Sequence, residues 1–319
     1  MSLGTTRQAE PRERSPRIVC LGAVVYDQVF VVPAIPSRPE KVLATAHRTS
    51  GGGMAATAAI AASALGASVR FWGRVGSDVE GEALRRMIAE ADVDVSSLRV
   101  ARGGQTATSG ILLDGAGERL LAAYPGSGLG DDPSWLPLDL IAEAQAVLVD
   151  VRWPQGAKAA LSAARRCGVP SVLDAELAPP ATLLELASLA DHAIFSERAL
   201  RDLTGLDNHA DALAAAALHT RAQLGVTLGA RGSLFYRDGA WTSVPAYPAP
   251  VIDTNGAGDV FHGAYAVAIA EGVDPPGAAR FASAAAAMKC ARGAGWSRMP
   301  ARSDVDSLMK GEEHANITR

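Results

Sequence analysis

Cysteine is scarce in this chain of 319 residues, and Cys20, Cys167 and Cys290 lie far apart. An odd, dispersed set provides neither a disulfide framework nor metal-ligand spacing, and it predicts free thiols in a reducing cytoplasm. Long apolar runs are missing too. The greasiest stretch, Ala55 to Leu65, is short, Ala-rich and broken by Thr and Ser, against the ~20 apolar residues a membrane span needs. It reads as a buried helix. No excess of one charge is present: the net charge of −4 sets up no strong field to attract nucleic acid. The first residues, MSLGTTRQAEPRERSPR, contain no apolar run of signal-peptide type. They are polar with two prolines, so residues 1–16 are expected to form a loose tail.

Hydrophobic residues at 48% and charged residues at 20% fit a globular domain. Short apolar runs alternate with helical stretches. RIVCLGA, at 17–23, reads as a buried opening strand with Asp27 just beyond its end. VFVV (29–32) and, more weakly, KVLAT (41–45) read as strands, and SGGGMAATAAIAASALGA as a glycine knot feeding an Ala-rich helix. Residues 106–113 and 119–124 flank DGAGE, a hairpin signal, and form a small β appendage. From 146 onward strands and helices alternate again, with a last Ala-rich helix over 281–290. The pattern predicts an α/β fold with a doubly wound, mostly parallel sheet covered on both faces. The expected domain is 17–310, with lid strands from about 29–48 and 106–124 and a C-terminal tail at 311–319.

The sharpest local signal is DTNGAGDVFHG, Asp253 to Gly263. Asn255-Gly256-Ala257-Gly258 turns into an apolar helix, whose first amides lack intrahelical partners and attract phosphate or a developing oxyanion. Asp259 sits in that first turn, where a carboxylate can accept the proton of an attacking hydroxyl. The bland alternative is a capping residue behind an ordinary turn. The motif is not a Walker A loop, since no Gly-Lys-Ser or Gly-Lys-Thr follows. In VTLGARGSLFY, Thr227, Gly229 and Gly232 follow a parallel strand at the edge where α/β sheets bind ligands, or else form an ordinary hairpin.

Taken in order, SGGG with its Ala-rich helix, GRVGSDVEG and DTNGAGD resemble the signatures of the ribokinase, or PfkB, family of carbohydrate kinases, over roughly residues 17–305. The resemblance implies a ribokinase-like α/β domain with a small β-sheet lid, ATP and Mg²⁺ as cofactors, and a homodimer formed through the lid. It implies that Asp259 is the catalytic base and that Gly256, Ala257 and Gly258 form the anion hole. Asp27, Gly51 and Gly52 would meet the sugar, and Thr227, Gly229 and Gly232 the nucleotide. Residues 286–292 would close over adenine, and Asp253 matches a position near a monovalent-cation (K⁺) loop. Two departures stand out. Ala56 replaces a sugar-binding asparagine, and Ser196 and Ala199 fall on the Asn-x-x-Glu pair that supports magnesium, so no metal ligand is assigned.

Within the family, GGGMAATAA, ERLLAAYP, DVRWPQGAK, DTNGAGDVFHGA and RFASAAAAMKCAR most resemble the branch that phosphorylates 6-deoxy-6-sulfofructose at O1. There, Lys41 and Arg152 match the residues that meet the sulfonate, while Ala123 replaces the branch's asparagine. A point charge and a planar fork suit an anion with three acceptor oxygens. On the bare residues Lys41 also reads as a solvated lid residue, and Arg152 as paired with Asp150 or Asp174. The alternatives are a kinase of another ketose or of a sugar phosphate, or a non-catalytic binding protein of the same fold.

Overall fold

The computed structural model describes residues 15–317, apart from 116 and 294. Its first strand, β1 (Arg17–Leu21), turns Ile18 and Cys20 into one hydrophobic core and Val19 and Leu21 into another. A strand buried on both faces is the mark of a sheet sandwiched between helices. The chain then leaves this sheet for β2 (Val25–Val31) and β3 (Ala46–Gly52), returning through α1 (Met54–Ala64). Next come β4 (Ser68–Gly76), α2 (Val79–Ala89) and the short β5 (Val93–Asp94) and β6 (Leu98–Ala101). The hairpin β7 (Thr108–Leu113) and β8 (Arg119–Tyr124) rejoins β2 and β3.

Alternation then becomes regular: β9 (Ala146–Asp150), α3 (Pro154–Cys167), β10 (Ser171–Ala175), α4 (Pro180–Leu189), β11 (His192–Ser196). Helices α5 (Glu197–Thr204) and α6 (His209–Ala217) lead to β12 (Gln223–Thr227) and the hairpin β13 (Ser233–Arg237) and β14 (Ala240–Val244). The chain closes with α7 (Ala257–Ala270), α8 (Pro275–Arg292) and α9 (Arg302–Ile317).

The large sheet runs β14-β13-β12-β11-β10-β9-β1-β4-β5, with β6 also on β4, and only the β12–β13–β14 end is antiparallel. Helices α1, α7 and α8 pack into the core on one face, and α3, α4 and α6 into the core on the other. This is the expected doubly wound α/β fold. The four-stranded sheet β3-β2-β7-β8 forms the separate lid. Because β1 pairs with β4 on one side and β9 on the other, the strand order reverses there. A crevice opens at such a switch point beyond the strands' carboxyl ends. Buried Asp150, ending β9, ties it together by accepting from the backbone N–H groups of Ala23 (2.7 Å), Ala55 (3.1 Å) and Arg152 (2.8 Å). No helix among the described residues is long and apolar enough to cross a membrane.

Several local expectations need correction. Asp27 is not beyond a strand end but inside β2, which starts four residues before VFVV. Residues 41–45 are not a strand. The β2–β3 register begins at Val31↔Ala46, where β2 ends, and of the preceding segment Thr45 is tied to that end by its N–H, which donates to Val31 O at 2.8 Å. Ser50, Gly51 and Gly52 close β3 rather than forming a knot of their own. Helix α8 starts six residues before 281, at two prolines in its first turn, capped by Asp274, which accepts from the Gly277 N–H at 3.0 Å. Helix α9 continues through 311–317, where a tail was expected. Of the expected N-terminal tail, residues 1–14 lie outside the described residues.

Candidate active site

The lid's register sorts its side chains. Asp27 stands opposite Ser50 on β3 and Ser109 on β7, and Ser109 in turn stands opposite Ala123 on β8. Two residues along each strand come Val29, Arg48, Ile111 and Leu121, and after those Val31, Ala46, Leu113 and Arg119. With a side-chain period of two, these rows share one lid face. Asp27, Val29, Arg48, Ile111, Leu113 and Arg119 from this face line a cavity of about 600 Å³. Asp27 accepts from the Ser109 hydroxyl at 2.5 Å, and burial raises its pKa above the usual carboxylate value. Gly51 and Gly52 are small because of what lies beside them. A Cβ on Gly51 would stand 2.1 Å from the Trp296 ring, and one on Gly52 would stand 2.3 Å from the Asp27 carboxylate. Trp296 is held there by an N–H bond to Thr57 Oγ1 of α1 at 3.0 Å.

Across the cavity, Asp253 Oδ1 accepts from the Asn255 N–H (2.7 Å), and Thr254 O accepts from the Ala257 N–H (3.2 Å), shaping the turn into α7. Gly256 caps the helix at φ 74°, the left-handed region that favours glycine. The first intrahelical bond runs from the Val260 N–H to Gly256 O at 2.9 Å. The Gly258 and Asp259 amides therefore precede it and have no carbonyl within the helix to meet. Of the proposed anion hole, the Ala257 amide is already engaged by Thr254.

Asp259 lies in that first turn, partly open to the cavity. Its pKa is pushed up to about 8, first by burial and then by the Asp174 carboxylate, with His262 acting the other way. Asp174 is the fourth of the five buried residues of β10, and its own pKa is raised by burial and by Asp150. His262, one turn along α7, lies beside Asp174: Nδ1 is 3.4 Å from its carboxylate and 2.8 Å from Gly258 O, and Nε2 is 3.2 Å from Ile194 O. Glu176 stands nearby, accepting from the Ser196 hydroxyl at 3.0 Å and the Leu177 N–H at 2.8 Å.

The cavity thus brings together Asp27, Gly51, Gly52, Asp253, Gly256 and Asp259 from three distant parts of the chain. Other positions named from the sequence lie elsewhere. Thr227 ends β12, and Gly229 and Gly232 bound a single 3₁₀ turn before β13, farther along the sheet's carboxyl edge. Lys41 is exposed in the loop before β3. Arg152 gives its guanidinium to Leu177 O at 3.0 Å, while only its backbone N–H meets Asp150. Ala56 is fully buried in α1 and presents nothing to the cavity. Ser196 caps α5 by accepting from the Ala199 N–H at 3.1 Å, and Ala199 is buried, so neither is placed as a metal ligand. Among the described residues no group of three or more His, Cys, Asp or Glu side chains could hold a metal ion.

Sequence reasoning passed over Trp296, Lys289, Arg119, Arg48 and Arg298, which line the cavity, and Asp174, Glu176 and His262, which surround the base candidate. Asp150 and Asp174 each follow a run of apolar strand residues, AVLV and SVL. A carboxylate so placed is a legible signal, because burying one demands a purpose. The others depend on tertiary approach.

The model of the pfkB family of carbohydrate kinases matches residues 15–302. The ribokinase of Haemophilus influenzae is 29% identical over 308 residues, covering 93% of this chain and 99% of its own. The ribokinase of Bacillus subtilis is 28% identical over 299 residues, covering 92% and 99%. Among solved structures, a candidate ribokinase from Agrobacterium tumefaciens superposes with a TM-score of 0.90 at 36% identity, covering 94% of this chain and 99% of that one. Arabidopsis thaliana ribokinase, in complex with ribose and ATP, gives 0.81 at 26% identity, covering 93% and 99%. The chain belongs to the pfkB family of carbohydrate kinases and is an enzyme of that class.

Proposed function

We propose that this kinase transfers the γ-phosphoryl group of ATP to a sugar held between Asp27 of the lid and Asp259 of α7. The observation that carries the reading is that these two carboxylates, 232 positions apart in the sequence, line one cavity that also receives the turn into α7. Asp27 accepts hydrogen bonds from sugar hydroxyls. Asp259, once ionised, takes the proton from the attacking hydroxyl, and the amides at the start of α7 meet the charge growing on the transferring phosphoryl group. The nucleotide lies along the sheet's carboxyl edge toward Thr227, Gly229 and Gly232, with residues 286–292 bordering adenine. Magnesium arrives with the triphosphate as part of the substrate.

The acceptor we favour is a ketose with an anion at its far end, 6-deoxy-6-sulfofructose in particular, phosphorylated at O1. Arg48 stands two residues from Ser50 on the Asp27 face of the lid, and Arg48 and Arg298 both line the cavity. A guanidinium bonded to a sulfonate or phosphate contributes about 1.5–3 kcal/mol per charged hydrogen bond. Lys41 joins this group only if lid closure carries it inward, and Arg152 only if it leaves Leu177 O, whereas Arg48 needs no such movement. The second reading, a neutral ribose or fructose, draws on relatives named ribokinase and fructokinase. Comparing kcat/KM for 6-deoxy-6-sulfofructose, fructose 6-phosphate, fructose and ribose decides between them, repeated with Arg48→Ala. The distal-anion reading expects the two anionic ketoses to lead and to lose most in the variant. Equal use of fructose or ribose overturns it.

The outer strand β8 is exposed along its length, including Leu120, Leu121 and Tyr124. We assign this edge to a homodimer formed through the lid, and the enzyme to the reducing cytoplasm, where its three free thiols are stable.

A further inference from the structure

Lys289 is a buried cation with 2% of its surface exposed, and it lines the cavity between the turn into α7 and the segment after α8. Its ammonium donates to Gly293 O at 2.5 Å. Burial lowers its pKa from the usual ammonium value, and of the surrounding carboxylates Asp253 and then Asp259 act the other way, holding its charge. The same two segments are cross-braced: the Ile252 and Asp253 N–H groups both donate to Cys290 O, at 2.9 and 3.2 Å. From the lid, Arg119 reaches Asp253 at 3.7 Å and the Thr254 hydroxyl at 3.1 Å. Asp253 in turn fixes the Asn255 amide that begins the phosphate-binding turn.

The family resemblance implied a monovalent metal ion beside Asp253. The donor set does not fit one, because the backbone carbonyl of Gly293 is taken by the Lys289 ammonium and the Asp253 carboxylate is paired with Arg119 at 3.7 Å. A second cation there would face Lys289 and Arg119 at close range in a partly desolvated wall, where like charges repel strongly. We infer that Lys289 is this enzyme's resident monovalent cation, a positioning residue that locks the turn into α7, and that the enzyme needs no potassium. The inference rests on the reading of that turn as the phosphate site.

The test uses melting temperature and calorimetric affinity for Mg·ATP, each in KCl and in choline chloride at equal ionic strength. Neither readout needs an acceptor sugar, so both stand apart from the substrate assignment. The wild type should be indifferent to the choice of salt. Lys289→Met should weaken Mg·ATP binding by about tenfold, and potassium, not sodium or choline, should restore about threefold or more while raising the variant's melting temperature. Lys289→Arg, which keeps the charge, should bind nucleotide more tightly than Lys289→Met. A wild type stabilised or tightened by potassium overturns the inference, as does a Lys289→Met variant with unchanged affinity or with a loss no cation relieves. If that variant does not fold, the wild-type salt comparison decides alone.

Discussion

The base assignment makes a pH prediction whose size follows from the surroundings of Asp259. Its pKa of about 8 means that near pH 7 about one tenth of free enzyme molecules carry the ionised base, and near pH 9 about nine tenths. The profile of kcat/KM reports the free enzyme's essential groups. It should therefore rise about tenfold from pH 7 to pH 9 and level off above. Asp174→Asn removes the neighbouring charge that raises Asp259 but leaves burial, the larger cause, in place. The midpoint of the rise should move to lower pH in this variant, yet stay above the range of an exposed carboxylate. Initial rates of ADP release from pH 6 to 10, with Mg·ATP and the best acceptor of the sugar panel both well below their KM, supply both curves. A profile flat from pH 6 to 9, or a midpoint that moves upward in Asp174→Asn, would refute the reasoning.

Asp27→Ala should raise the sugar KM strongly while leaving Mg·ATP affinity nearly unchanged, and calorimetry with each ligand separately checks the split. Gly263→Ala should destabilise the fold by about 1–3 kcal/mol in urea titration, since its Cβ would stand 2.4 Å from Ala58 O where α7 meets α1. Stability itself should fall as pH rises from 5 to 9. Asp259 and Asp174 have folded pKa values above their unfolded ones, so the native state holds more protons in this window and loses that advantage as they ionise. Melting curves should show this slope flattened in Asp259→Asn.

The sheet and the turn into α7 were legible because each is written locally. Apolar runs such as RIVCL and AVLVD announce strands buried on both faces, and DTNGAGD places a carboxylate and glycines at one helix start. The lid was harder to read. Asp27 and Gln28 interrupt the apolar pattern of β2, so the strand read as starting at Val29, yet it is this polar position that faces the cavity. Helix α8 hid its start behind two prolines, which suit a first turn because they give up amides that have no partner there. The cavity's cations were not legible at all. Arg48 and Arg119 gain meaning only from lid register, and Lys289 only from a carbonyl four residues ahead and a carboxylate 36 residues behind.

Turnover by Asp259→Asn tests the central claim most directly. With ATP and the best acceptor, the substitution should lower kcat by about 10²–10⁴ while Mg·ATP affinity stays within a few fold, because the amide keeps the shape but cannot take the proton. A variant that keeps more than about a third of wild-type kcat would contradict the account, since a lost general base ordinarily costs at least a hundredfold.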